Sequence, residues 1–216
     1  MTALAIPPAT ILVTAAVSVM AMLWSERYSP RLEWVFKPLA SLCFIALALQ
    51  VGALGSDYGR YLLAGLVLCL GGDVLLIPHN DKTFLAGLTS FLLGHLLYAL
   101  AFLHLPFNVS ALLVGLLPVA ALAVLSTRWL WPHLPGSMRL PVLAYIAVIC
   151  GMLVFANSTW GSTAGLWIVA GAWGFALSDL AVARNQFVRP GMRNRLWGIP
   201  LYFASQLILA WSVGLT

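Results

Sequence analysis

The chain contains six acidic residues, Glu26, Glu33, Asp57, Asp73, Asp81 and Asp179. Only Asp73, in LCLGGDVLLIP, and Asp179, in GFALSDLAVAR, interrupt long apolar stretches. A charge in hydrocarbon is costly, so a carboxyl in such a place is a functional candidate by default. Two carboxyls that share a site titrate as a pair: one holds the proton while the other is ionised. The pair is then an acid and a base in one pocket, which suits hydrolysis of an acid-labile bond through an oxocarbenium-like state. No G-x-S-x-G, H-E-x-x-H or phosphate-loop pattern occurs, so no serine nucleophile, metal or other cofactor is expected. The competing reading is a structural ion pair with Lys37, although one lysine neutralises only one acid.

Other polar groups with proton chemistry fall inside apolar stretches near these acids. Asp73 and Asp179 each stand about five residues before their stretch ends, roughly 7 Å inside the boundary at 1.5 Å per residue. Lys37 and Tyr145 stand near the starts of other stretches. Tyr202 and Gln206 share one helical face by their i,i+4 spacing. His95 and Tyr98 are one turn apart, and Ser178 precedes Asp179. Each has a plainer alternative. Lys37 can snorkel to the interface, Tyr145 and Tyr202 can be interfacial belt residues, His95 a packing residue and Gln206 interhelical glue.

The elements that must position these groups are membrane helices. Of 216 residues 62% are hydrophobic and 8% charged, against about 45–50% and about 25% in soluble domains. So few charges cannot cover a soluble surface, and so apolar a chain is not disordered. The composition predicts an all-α integral membrane protein. Stretches long enough to cross a bilayer occur eight times, over 6–24, 34–54, 61–78, 83–103, 107–125, 139–156, 163–183 and 197–215. The first lacks the basic leader and cleavage site of a signal peptide. Connections are short, so residues 1–216 are expected to form a single polytopic transmembrane domain. Cys43, Cys69 and Cys150 lie in apolar runs and read as packing residues.

Charge gives the orientation. With eight spans, Arg60 is the only basic residue in the connections on the side of the termini. Arg27, Arg31, Lys37, Lys82, Arg128, Arg139, Arg184, Arg189, Arg193 and Arg195 fall on the other side. The positive-inside rule places both termini outside and the basic loops in the cytoplasm. The net charge of +5 is thus a topology signal, and no nucleic-acid partner is expected. The Arg189–Arg195 segment has a second reading, an anionic headgroup or phosphate site. Asp73 and Asp179 are 106 positions apart, nearly half the chain, which suggests two parallel four-helix repeats.

Several phrases together resemble a known family: Lys37-Pro38-Leu39, Gly72-Asp73-Val74-Leu75-Leu76, Phe91-Leu92-Leu93-Gly94-His95-Leu96-Leu97-Tyr98, Ser178-Asp179-Leu180 and Tyr202-Phe203-Ala204-Ser205-Gln206. The set is similar to the YhhN-like lysoplasmalogenase family over most of the chain. The resemblance implies an eight-helix hydrolase that cleaves the vinyl ether bond of lysoplasmalogens to a fatty aldehyde and a glycerophospho-base. It implies that Asp73 and Asp179 are the essential acids, with Lys37, His95, Tyr98, Tyr145, Ser178, Tyr202 and Gln206 supporting them. The implied partners are the lipid bilayer and a single-chain ether phospholipid. Its headgroup would lie near Arg184, Asn185 and Arg193, at a pocket mouth on the cytoplasmic face of a bacterial inner membrane. A bacterial member could act on a related lysolipid. The alternative is a proton-coupled transporter or channel, which would use the same aspartates.

Overall fold

The computed structural model describes residues 7–25, 29–78 and 80–216. Its helices are α1 (Pro8–Ser25), α2 (Glu33–Gln50), α3 (Asp57–Leu75), α4 (Asp81–Phe102), α5 (Val109–Leu130), α6 (Gly136–Ser158), α7 (Gly165–Ala183) and α8 (Met192–Ser212). All eight spans are long and apolar enough to cross a membrane, and the chain is an integral membrane protein. Ile6, where the first span was expected to begin, and the loop charges Glu26 and Arg27 lie outside the described residues, as does His79.

Several helices extend beyond the apolar stretches that announce them. Helix α3 starts at Asp57 rather than 61, α5 runs on to Leu130 rather than 125, and α8 starts at Met192 rather than 197. The extensions are polar or interfacial turns that hydropathy alone does not register. Side-chain caps fix three of the starts: Ser56 accepts from the Gly59 amide, Asn80 from Thr83 and Asn108 from Ala111, each at 3.0 Å. Asp57 and Asp81 occupy the first turns that follow, where a helix dipole favours acids. A single π-helical turn, Arg184–Val188, continues α7 past Ala183.

The most extensive packing is α3 on α4 and α7 on α8. Both pairs approach closely through small residues, as membrane helices do where backbones must meet. A Cβ built on Gly72 of α3 would stand 2.6 Å from the Phe91 ring of α4, and one on Gly171 of α7 would stand 2.7 Å from Leu209 of α8. The remaining contacts form a pattern. Helix α1 packs on α2 as α5 packs on α6; α2 on α3 as α6 on α7; and α4 on α6 as α8 on α2. Moving four helices along the chain therefore returns the same principal neighbours, although α1 and α3 also touch α8 without matching contacts of α5 and α7 on α4 of that extent. In this pattern α3, with Asp73, is the counterpart of α7, with Asp179. Helix α5 is the least buried span, and the fully buried side chains include Phe44, Leu47, Leu62, Leu66, Phe102, Met152 and Phe175.

Candidate active site

Asp73 and Asp179 line one cavity of about 210 Å³. That is many times the roughly 10–15 Å³ that one water needs. Its walls come from the C-terminal parts of α3, α5 and α7 and the N-terminal parts of α2, α4, α6 and α8, so it lies toward the end of the bundle that carries the basic loops. Much of the wall is apolar, with Leu122, Leu130, Val142, Ile146 and Ile149 on α5 and α6. The polar residues gather around the two carboxyls and the mouth.

Asp73 is almost fully buried. Its Oδ2 accepts hydrogen bonds from Ser41 Oγ and Tyr202 Oη, both at 2.7 Å. Its Oδ1 lies 4.0 Å from Lys37 Nζ. Lys37 and Ser41 are one turn apart on α2, and Glu33 is one turn before Lys37, so the three share a face. The Lys37 amine is buried beside Asp73 and lines the cavity.

Asp179 is more open, with its side chain 14% exposed. Its Oδ2 accepts from Tyr145 Oη at 3.0 Å and faces His95 Nε2 at 3.4 Å. His95 has no exposed surface and does not line the cavity. Its Nδ1 donates to the Phe91 carbonyl at 2.7 Å, and its ring stacks on Phe175 at 4.2 Å between centroids. Phe175 also packs against Tyr202 at 5.4 Å, so one aromatic ring separates the supports of the two acids.

The other expected residues divide into three groups. Ser178 lines the cavity, but its hydroxyl donates to the Phe175 carbonyl at 2.7 Å. Tyr98 and Gln206 lie behind the site: Tyr98 Oη donates to Gln206 Oε1 at 2.6 Å, with Cys69 Sγ beside it at 3.7 Å. Neither lines the cavity. Arg184 and Asn185 knit the α7–α8 connection. Arg184 donates to Asn194 Oδ1, and Asn185 Oδ1 accepts from the Gly191 amide at 2.9 Å. Asn185 also borders the cavity, whereas Arg193 is exposed and away from it.

The cavity mouth presents Arg195, the end of the segment whose second reading is a headgroup or phosphate site, together with residues that spacing does not single out. Arg195 Nη2 donates to Glu33 Oε1 at 2.9 Å, joining α8 to α2, and both residues line the cavity with Asn194 and Gln186. Their sequence separation of 162 hides this pair from any local pattern. Ser41, the i+4 neighbour of Lys37, carries no local signal that Asp73 lies opposite it.

The YhhN family model matches residues 32–213. Among curated proteins, a lysoplasmalogenase TMEM86A from Bos taurus is 31% identical over 215 residues, covering 91% of this chain and 85% of its own. A lysoplasmalogenase TMEM86B from Rattus norvegicus is 35% identical over 202 residues, covering 91% and 80%. A lysoplasmalogenase from Mycobacterium bovis is 30% identical over 168 residues, covering 74% and 62%. No solved structure matches the chain significantly.

Proposed function

We propose a function from this premise: the chain belongs to the YhhN family, and it hydrolyses the vinyl ether bond of alkenyl lysophospholipids. The products are a fatty aldehyde and a glycerophospho-base. One observation carries the proposal beyond the relatives' names: two aspartates from different helices line one largely apolar cavity within a membrane bundle.

The chemistry follows from that pair. One carboxyl gives a proton to the alkenyl carbon β to the ether oxygen, the C=C bond opens, and an oxocarbenium forms. A water adds to the cationic carbon and gives its proton to the ionised carboxyl. The resulting hemiacetal collapses: its hydroxyl proton returns to the first carboxyl, the second protonates the departing ether oxygen, and both acids are restored. General acid and base catalysis of this kind contributes about 10²–10⁴-fold. The aliphatic tail lies against the α5–α6 wall. The phosphate approaches Arg195 and Asn194 at the mouth, in place of the expected Arg193.

The whole chain acts as one transmembrane domain in a bacterial inner membrane. Both termini are outside and the mouth opens to the cytoplasm, following the bias of basic loops. Purified protein in lipid nanodiscs, given an alkenyl lysophospholipid, releases aldehyde in the presence of chelator. Asp73→Asn and Asp179→Asn each lower the rate at least about a hundredfold. Proton or solute movement in liposomes without aldehyde release would instead favour a transporter.

A further inference from the structure

The two carboxyls occupy equivalent places in the repeated packing but have different partners. Each is held by the second helix of its own half and the fourth helix of the other half. Asp73 is held by Lys37 and Ser41 of α2 and by Tyr202 of α8. Asp179 is held by Tyr145 of α6 and His95 of α4. The frame repeats while the chemistry does not.

At Asp73 the Tyr202 hydroxyl donates to one oxygen, the Ser41 hydroxyl shares its hydrogen between that oxygen and the Lys37 carbonyl at 3.0 Å, and an amine faces the other oxygen. That set suits a group that accepts and does not donate, an ionised carboxylate. At Asp179 the histidine sets a different condition. A carbonyl oxygen can only accept, so the contact with Phe91 requires a proton on His95 Nδ1. Nε2 then lies 3.4 Å from Asp179 Oδ2 and has no hydrogen-bond partner of its own. A bare Nε2 lone pair facing a carboxylate oxygen would be repulsive and fully buried, which is costly. The contact becomes favourable when one proton lies between the two atoms, on imidazolium or on the carboxylic acid. The stacked Phe175 and the Phe91 carbonyl fix the ring in this orientation.

We propose that the two acids have fixed and different roles: Asp179, sharing one proton with His95, is the proton donor to the alkenyl carbon, and Asp73 remains the carboxylate that receives the proton of the attacking water. His95 is a positioning residue, since it acts through Asp179 and has no access to the cavity. This assignment rests on the hydrolase function proposed above. Bonds and protons balance as in the scheme given there, with Asp179 as the first carboxyl and Asp73 as the second.

The test is the pH dependence of residual aldehyde release by the two isosteric variants. The charged and titratable groups facing the pair are Lys37, Tyr202, Tyr145 and His95, with Cys150 on the α6 wall and Glu33 and Arg195 at the mouth. All seven are intact in both variants. Asp179→Asn lacks the internal proton donor, so hydronium must supply the proton; its residual rate loses the alkaline limb, climbs as pH falls and levels off where Asp73 protonates. Asp73→Asn keeps the donor, so it retains the alkaline limb of the wild-type profile and loses the acid limb. His95→Gln lowers kcat about a hundredfold, leaves KM within about threefold, and displaces the alkaline limb while the acid limb stays. A histidine that only packs would leave both limbs in place.

Exchanged profiles in the two Asn variants, or identical ones, overturn the assignment. A folded His95→Gln variant with an unmoved alkaline limb overturns the role of the histidine. If that variant does not fold, His95→Asn is read in the same way, and the two aspartate variants decide the roles without it. A wild type that releases no aldehyde overturns the hydrolase function itself, a result distinct from active protein with exchanged limbs.

Discussion

Replacing Tyr202 with Phe removes one oxygen from the site and little else. The ring is held by Phe203, Phe175 and Phe91, with centroids 4.9, 5.4 and 5.9 Å away, so phenylalanine keeps the packing. What is lost is the 2.7 Å hydrogen bond to Asp73 Oδ2. Hydrogen bonds to charged groups contribute about 1.5–3 kcal/mol. The lower end applies here, because Ser41 still donates to the same oxygen and the cavity has room for a replacing water. About 1.5 kcal/mol on the barrier is roughly a tenfold loss of kcat. KM should change less than threefold, since the apolar wall and the mouth are untouched. Because Ser41 and Tyr202 share one acceptor, Tyr202→Phe with Ser41→Ala should depart clearly from additivity. Steady-state aldehyde release, coupled to an aldehyde-reducing enzyme, measures each constant. A Tyr202→Phe rate within twofold of wild type would refute the view that this hydroxyl supports a reacting carboxylate.

Three further outcomes follow from other parts of the structure. Arg195→Gln removes the cation of the Arg195–Glu33 pair; KM for the phospholipid should rise about tenfold, as for a lost charge-assisted bond, while KM for an alkenyl glycerol without phosphate stays unchanged. Tyr98→Phe leaves the buried Gln206 Oε1 without its donor, at a cost of about 1 kcal/mol, so the unfolding midpoint should fall by a few degrees with kcat within about threefold. Gly72→Ala forces a methyl group against Phe91, which lines the cavity; overpacking of about 1–3 kcal/mol should lower both the unfolding midpoint and kcat, with the size of the midpoint shift read from a thermal melt.

Much of the architecture was legible because lipid is a simple solvent. Twenty apolar residues in a row must be a helix there, so eight stretches gave eight helices. The boundaries were less legible, because Ser56 and Asn80 cap turns that lie outside the apolar count, while Asn108 caps a helix that starts within it. The two aspartates stood out because an acid inside such a stretch has no ordinary explanation. Their supports were only partly visible. Tyr202 and Lys37 share the depth of Asp73, but nothing local distinguishes His95, which reaches Asp179, from Tyr98, one turn away, which bonds Gln206 behind the cavity. Phe175 was invisible as well: a phenylalanine in a membrane helix carries no signal that it stacks on a buried histidine. Partnerships between helices depend on rotation about each helix axis, and a chain that is apolar on nearly every face encodes that rotation weakly.

The most direct measurement compares three lysophospholipids with one headgroup and one tail length, joined by a vinyl ether, a saturated ether or an ester. Each is incubated with purified wild-type protein in nanodiscs, and aldehyde and glycerophospho-base are quantified by mass spectrometry. The vinyl ether alone should be cleaved, giving the two products in equal amounts, because only that bond is activated by protonation at carbon. No aldehyde above empty nanodiscs, or ester cleavage at a comparable rate, would contradict a vinyl ether hydrolase built on Asp73 and Asp179.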